Sequence, residues 1–166
     1  MARAPELSPQ ARAFLDMIAW CEGTSTSPIT QDDGYDIIVT GVNGMERFTD
    51  YRHHPFEHGR AAKQINHRGL LSSASGRYQD IIRTWRWIRA MSGVQDFSPE
   101  SQDRANWWLI GFRKAQPLVE AGKIPEAIAL CSVEWASLPG ANVKDQKQRK
   151  MAECLACFEL KGGRRG

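Results

Sequence analysis

Glu22 is the residue in this chain best placed to do chemistry. In the segment SPQARAFLDMIAWCEGT, Ser8 and Pro9 have the types of a helix cap and first helical residue, and Gly23 the type of a stop. Between them Ala11, Phe14, Leu15 and Ile18 recur at helical spacing and form one apolar stripe. Glu22 follows Ile18 by four residues and falls on that stripe. An acid there loses solvation and sits at the negative end of the helix dipole, and both effects raise a carboxyl pKa. A carboxylic acid kept protonated near neutral pH can protonate a leaving glycosidic oxygen. The same spacing also fits a helix that simply ends at Glu22 with its side chain in water.

Other clusters of reactive types carry weaker patterns. Cys154 and Cys157 have C-x-x-C spacing, but they fall in the apolar-periodic stretch MAECLACFEL, and Cys21 and Cys131 stand apart. Four buried, reduced thiols are expected, as suits synthesis in a reducing cytoplasm. His53, His54, His58 and His67 are dense but follow no ligand spacing, so they read as incidental histidines of a surface loop, and no metal or cofactor is expected. Asp36 and Asp50, in GYDIIV and FTDY, are the candidates for a second carboxylate.

The elements that must position these residues follow from periodicity and punctuation. The first helix covers roughly 9–22. Strand candidates at 35–40 and 45–50 flank GVNG, a turn signal. Residues 52–76 read as loop. From Gly76 the pattern is helical through GRYQDIIRTWRWIRAMSG. A further helix starts at Ser98 and Pro99 and runs through WWLIGF, a shorter one begins near Pro125, WASLPG breaks the pattern, and a last helix covers about 145–160. Mostly helix with one small β insertion gives an α+β fold in a single domain, 1–166, with the β-containing part at about 24–75.

Composition bounds the function. The chain has 166 residues, 42% hydrophobic and 25% charged, with net charge +3. Its pI is about 8.8 and its mean hydropathy −0.48. No apolar run approaches the ~20 residues of a membrane helix, so no membrane insertion is expected. MARAPELSPQ has no apolar core of a secretory signal. The mild positive charge suits polyanionic partners, nucleic acid or an anionic cell wall, without choosing between them. The basic stretches RTWRWIR and KDQKQRK read as solvated helix faces, and Trp107 and Trp108 as core.

ARAFLDMIAWCEGT, DGYDIIVTG, FTDYRHHP, SGRYQ, DFSPESQD and WASLPGA resemble, in the same order, segments of the lambda-type phage endolysins, over about residues 11–141. These are lytic transglycosylases. The resemblance implies a lysozyme-like fold with a helical lobe and a small β lobe flanking a sugar cleft. It implies cleavage of the MurNAc–GlcNAc β-1,4 bond of peptidoglycan with formation of 1,6-anhydro-MurNAc. The family's acid lies in AWSEGT, here AWCEGT, so the role falls on Glu22, with Cys21 in place of a serine.

One carboxyl group suffices for that reaction, because the substrate supplies its own nucleophile, whereas a two-carboxylate hydrolase needs a partner across the bond. The resemblance places Asp36 in the cleft and Gln79 on its floor, and leaves Asp50 structural or weakly substrate-facing. Tyr35 and Tyr51 become candidates to stack on sugars and Arg77 to meet a lactyl carboxylate. Ser137 and Gly140 would line the far wall, with Trp135 as readily core as cleft. Two departures stand out: NVKDQKQRK after LPGA, and the 53–75 loop, which would lie over the cleft as a lid. A monomer acting on glycan strands, with no nucleic-acid partner, is expected. So is cytoplasmic synthesis followed by release through a holin-type lesion.

Overall fold

The computed structural model describes residues 1–142 and 148–166. Helix α1, Pro9–Glu22, has the predicted punctuation: Ser8 Oγ accepts from the Ala11 N–H, Pro9 opens the helix, and Gly23 closes it at φ 77°. Both α1 faces are covered, since Ala11, Ala13, Phe14, Leu15, Met17 and Ile18 are all buried. It packs against α3 (Pro99–Phe112), α4 (Gln116–Glu120) and α6 (Met151–Leu160). A single apolar cluster runs from Ala2 to Phe158 through these helices, α2 (Ile82–Ser92) and α5 (Ile124–Cys131).

The β part is smaller than its sequence pattern. β1 (Ile37–Gly41) and β2 (Gly44–Arg47) pair antiparallel around the GVNG turn, with Ile38 opposite Glu46 and a bulge before Gly41. The stretch read as loop contains a second hairpin, β3 (Lys63–Gln64) with β4 (Leu71–Ser72). It docks on the first: the Val42 N–H donates to the Gln64 carbonyl at 2.9 Å. Among the described residues no helix is long and apolar enough to cross a membrane.

Two predicted helices start late. The one expected from Gly76 begins at Ile82. Residues 76–80 instead make a tight turn, with Gly76 at φ 78°, Gln79 at φ 55°, and an isolated bridge between Ser75 and Asp80. The cause is tertiary. The Gly76 N–H donates to the Ile37 carbonyl at 2.8 Å, and the Arg77 N–H to Gln102 Oε1 at 2.8 Å. A Cβ on Gly76 would meet Gln102 Oε1 at 2.4 Å, so the approach requires glycine. The final helix begins at Met151. Its expected start, with residues 143–147 of the divergent basic segment, lies outside the described residues. α4 had no counterpart in the periodicity.

Candidate active site

Glu22 is the last residue of α1, and its carboxyl opens on a groove of about 370 Å³ between the helical body and the first hairpin. Gly23, Thr24, Thr26, Ser27 and Pro28 form one wall; Ile37, Val39, Thr40 and Met45 form the other. Gln79 stands at the end of the groove and is shared with an adjoining hollow of about 270 Å³ that contains Asp80, Glu134 and Trp135. No residue of 53–75 lines the groove. Its β3–β4 hairpin sits beside the tip of the first hairpin.

Two hydrogen bonds fix the centre. Ser137 Oγ donates to Glu22 Oε1 at 2.6 Å. The Thr24 hydroxyl donates to the Arg77 carbonyl at 2.6 Å, tying the chain just after Glu22 to the turn that carries Gln79. Burial pushes the Glu22 carboxyl above its ordinary pKa, and the Ser137 hydroxyl, which stabilises the charged form, opposes that shift without cancelling it. A carboxyl with one oxygen oriented by a hydroxyl and a raised proton affinity is suited to give a proton and later take one back.

Glu22, Gln79 and Ser137 are therefore brought together, Ser137 through its bond to Glu22 and not on the groove lining. Tyr35, Asp36 and Arg77 are not: all three are buried. The Tyr35 hydroxyl donates to Asp103 Oδ1 at 2.8 Å, and Tyr78 donates to the same oxygen at 2.5 Å. Arg77 pairs with buried Asp16 at 2.8 Å and with Asp33 at 3.0 Å, its guanidinium over the Tyr35 ring. Asp36 accepts from the Thr30 hydroxyl at 2.5 Å and from the Gln31 N–H at 2.9 Å, so it closes a loop and faces no sugar. These groups form a buried polar hub whose hydrogen bonds go to other parts of the fold, with Asp16 Oδ2 left without a partner.

Tyr51 donates to Asp32 at 2.6 Å and sets its ring edge on Phe48, which makes it a packing residue. The Gly140 N–H is taken by Gln148 Oε1 at 3.2 Å, and Gly140 is absent from the groove lining. Trp135 is core, its indole N–H donating to the Tyr78 carbonyl at 3.1 Å. Asp50 is exposed and clamped by Arg52, which holds its carboxyl well below the usual range.

His54 corrects the reading of an incidental histidine. It is buried, its Nε2–H donates to the Asp80 carbonyl at 2.9 Å, and its Nδ1 accepts from the Phe56 N–H at 3.2 Å. Burial lowers its pKa to about 4, which fits this neutral tautomer. Among the described residues no group of three or more His, Cys, Asp or Glu side chains is placed to hold a metal ion.

Sequence reasoning missed Asp80. Its carboxyl is buried in the adjoining hollow, where Asn106 Nδ2 donates to Oδ2 at 2.8 Å. Burial foremost, then the charges of Glu134 and Glu22, raises its pKa to about 7. The nearest signal in the sequence was its position next to Gln79.

Comparison with known proteins bears on the family and the fold. The family profile described as Endolysin matches residues 12–165. The endolysin of Escherichia phage P2 is 47% identical over 152 residues, covering 91% of this chain and 92% of that protein. The endolysin of Escherichia phage lambda is 43% identical over 159 residues, covering 95% and 94%. A solved structure of bacteriophage lambda lysozyme complexed with a chitohexasaccharide superposes with a TM-score of 0.86 at 42% identity, covering 97% of this chain and 99% of that one. The α+β fold is thus lysozyme-like.

Proposed function

The chain belongs to the endolysin family, and from that premise we propose that it is a lytic transglycosylase degrading peptidoglycan, with Glu22 as its single acid and base. The observation that carries this reading is the Glu22 carboxyl: proton-retaining, oriented by Ser137, and open to a groove. The relative that binds a chitohexasaccharide supports an oligosaccharide in that groove.

Glu22 protonates the oxygen between MurNAc and GlcNAc as the bond to the anomeric carbon breaks. The resulting carboxylate then accepts the proton of the muramic C6 hydroxyl as that oxygen bonds to its own C1. The product is a 1,6-anhydro sugar, and the acid is regenerated. Attack within one sugar carries a high effective molarity, so no water needs to be activated. Gln79 lines the groove with its Nε2 bonded to the Gly76 carbonyl at 3.0 Å, which leaves its second N–H and its carbonyl oxygen for an N-acetyl group. Commitment of Asp36 to its loop and of Asp50 to Arg52 supports a reaction without a second carboxylate.

One observation favours a hydrolytic alternative: the buried Asp80 carboxyl lies one hollow away from Glu22. In that mechanism it would activate water and leave reducing muramic ends. Mass spectrometry of a murein digest separates the two. Transglycosylation gives a product lighter by one water and without label from 18O-water, in the native protein and in Asp80→Asn alike. Labelled reducing ends that vanish in Asp80→Asn would establish hydrolysis. The family further suggests a monomer of one domain, made in the host cytoplasm and released to the murein through a holin-type lesion.

A further inference from the structure

The thiols of Cys21 and Cys154, 133 residues apart in sequence, meet at 3.6 Å where α6 packs on α1. Cys21 lies in the last turn of α1, just before Glu22, and Cys154 in the first turn of α6. Both are buried. Closing two sulfurs already in contact to a bonded pair takes side-chain movements of about 1.5 Å in total. The C-x-x-C partner is the poorer match. Cβ atoms three residues apart on a helix are about 5–6 Å apart, beyond the roughly 3.5–4.5 Å of a disulfide. A Cys154–Cys157 bond would therefore unwind the start of α6.

We propose that Cys21 and Cys154 are a modification site, a dithiol that closes to an intramolecular disulfide once the protein leaves a reducing compartment. The physiological setting rests on the reading that its substrate is murein outside the cytoplasm. The co-reactant is an exchangeable disulfide, either oxidised glutathione or a protein dithiol oxidase. Cys154 is fully buried, so exchange proceeds through local openings of the α1–α6 contact, in which the Cys154 thiolate attacks one sulfur of that disulfide, forms a mixed disulfide and expels the other sulfur as a thiolate. Cys21 then loses its proton to solvent and attacks Cys154 Sγ, expelling the second thiolate. The chain loses two hydrogens, and the co-reactant gains two electrons and becomes two thiols.

The local electrostatics favour this order. Either thiol can donate in their shared hydrogen bond; that bond and nearby Arg149 lower the Cys154 thiol, while the same bond and burial raise Cys21. The bond closes a loop spanning most of the chain and pins α6 to the turn that ends in Glu22. Loops of that length restrict the unfolded chain most.

The test uses the native full-length protein with oxidised glutathione as the probe. Samples are denatured, alkylated, digested without reduction, and mapped by fragmentation mass spectrometry. The expected result is a chain two hydrogens lighter, with Cys21 joined to Cys154, Cys131 and Cys157 alkylated, and a higher Tm that reductant reverses. C157S should form the same bond, and C154S neither the bond nor the Tm gain. The proposal is overturned by a Cys154–Cys157 bond, by cross-linked dimers, or by four free thiols after a time in which the urea-unfolded chain has oxidised. Digest chemistry is independent of this mapping. A protein that forms the bond but releases no anhydro-sugar refutes the transglycosylase assignment alone, and the converse refutes the dithiol site alone.

Discussion

Replacing Glu22 by Gln exchanges one carboxyl oxygen for an amide nitrogen of similar size, so the groove keeps its shape and Ser137 keeps an acceptor. The proton donor is lost. Positioned acid–base groups contribute about 10²- to 10⁴-fold, and here one group serves both steps, so murein cleavage should fall by at least about 10³-fold. Stability should move the other way, with a definite pH dependence. Burial raises the folded-state pKa of Glu22, while an unfolded Glu titrates near about 4.3. A group with a raised folded pKa contributes its full stability below the unfolded pKa and loses it as pH rises through the folded one. Gln does not titrate. At pH 4 and below the variant should therefore match the native protein, and at pH 7–8 it should exceed it. The neutral amide makes a weaker bond to Ser137, which returns about 1 kcal/mol of the relief. A net gain on the order of 1 kcal/mol raises Tm by about 2–4 °C at this chain length. Turbidity clearing of murein sacculi reads the first quantity and thermal denaturation at pH 4 and pH 8 the second. Clearing within tenfold of native, or a Tm that drops at pH 8, would refute the assignment of Glu22 as a buried proton donor.

Four further outcomes are expected. Ser137→Ala removes the hydroxyl that favours the Glu22 carboxylate, so the high-pH limb of the kcat/KM profile should move to higher pH; an unmoved limb removes Ser137 from control of the acid. Gln79→Ala should lower kcat/KM by about 3- to 10-fold, the value of one hydrogen bond, with Tm unchanged in the same thermal scan. Arg77→Ala should act first on the fold: it strands the buried Asp16 carboxylate at a cost of about 3–5 kcal/mol, a Tm drop on the order of 10 °C. Asp80→Asn removes a carboxyl whose pKa is raised to about 7, so its Tm gain over native should be absent near pH 3 and grow as pH rises from about 4 through 7.

What could be read from the sequence was set by the range of the interactions involved. α1 was legible in full, because Ser8, Pro9 and Gly23 act within one turn and the stripe from Ala11 to Ile18 is a property of one helix. The misfit of Glu22 with the stripe is local too, but it equally fits a side chain turned to water, and the resemblance of AWCEGT is what chose between the two. The GVNG turn placed the β1–β2 pairing, although the strands are shorter than their alternation, since Tyr35 and Asp36 are drawn out of the hairpin by Asp103 and Thr30.

The residues around the acid were not legible by type, and the 76–80 turn shows why. Tyr78, Ile81 and Ile82 have helical spacing, yet Tyr78 is buried by its bond to Asp103, and Gly76 and Arg77 are held by Ile37 and Gln102. An Arg and a Tyr near the acid look like sugar ligands until their partners, 44 to 68 residues away, are known to consume them, and the Asp is consumed by Thr30 and Gln31, 6 and 5 residues away. Family resemblance carries such residues forward without saying whether they touch substrate or hold up what does. Here they do the second. Arg77 fills the space between Asp16 and Asp33, and its backbone carbonyl receives the Thr24 hydroxyl. The buried ion pair thus sets the distance between the turn carrying Gln79 and the end of the helix carrying Glu22. On this argument the polar hub affects catalysis only through that distance. Arg77→Lys, which keeps the charge but not the fork, should lower kcat without shifting the pH profile set by Glu22.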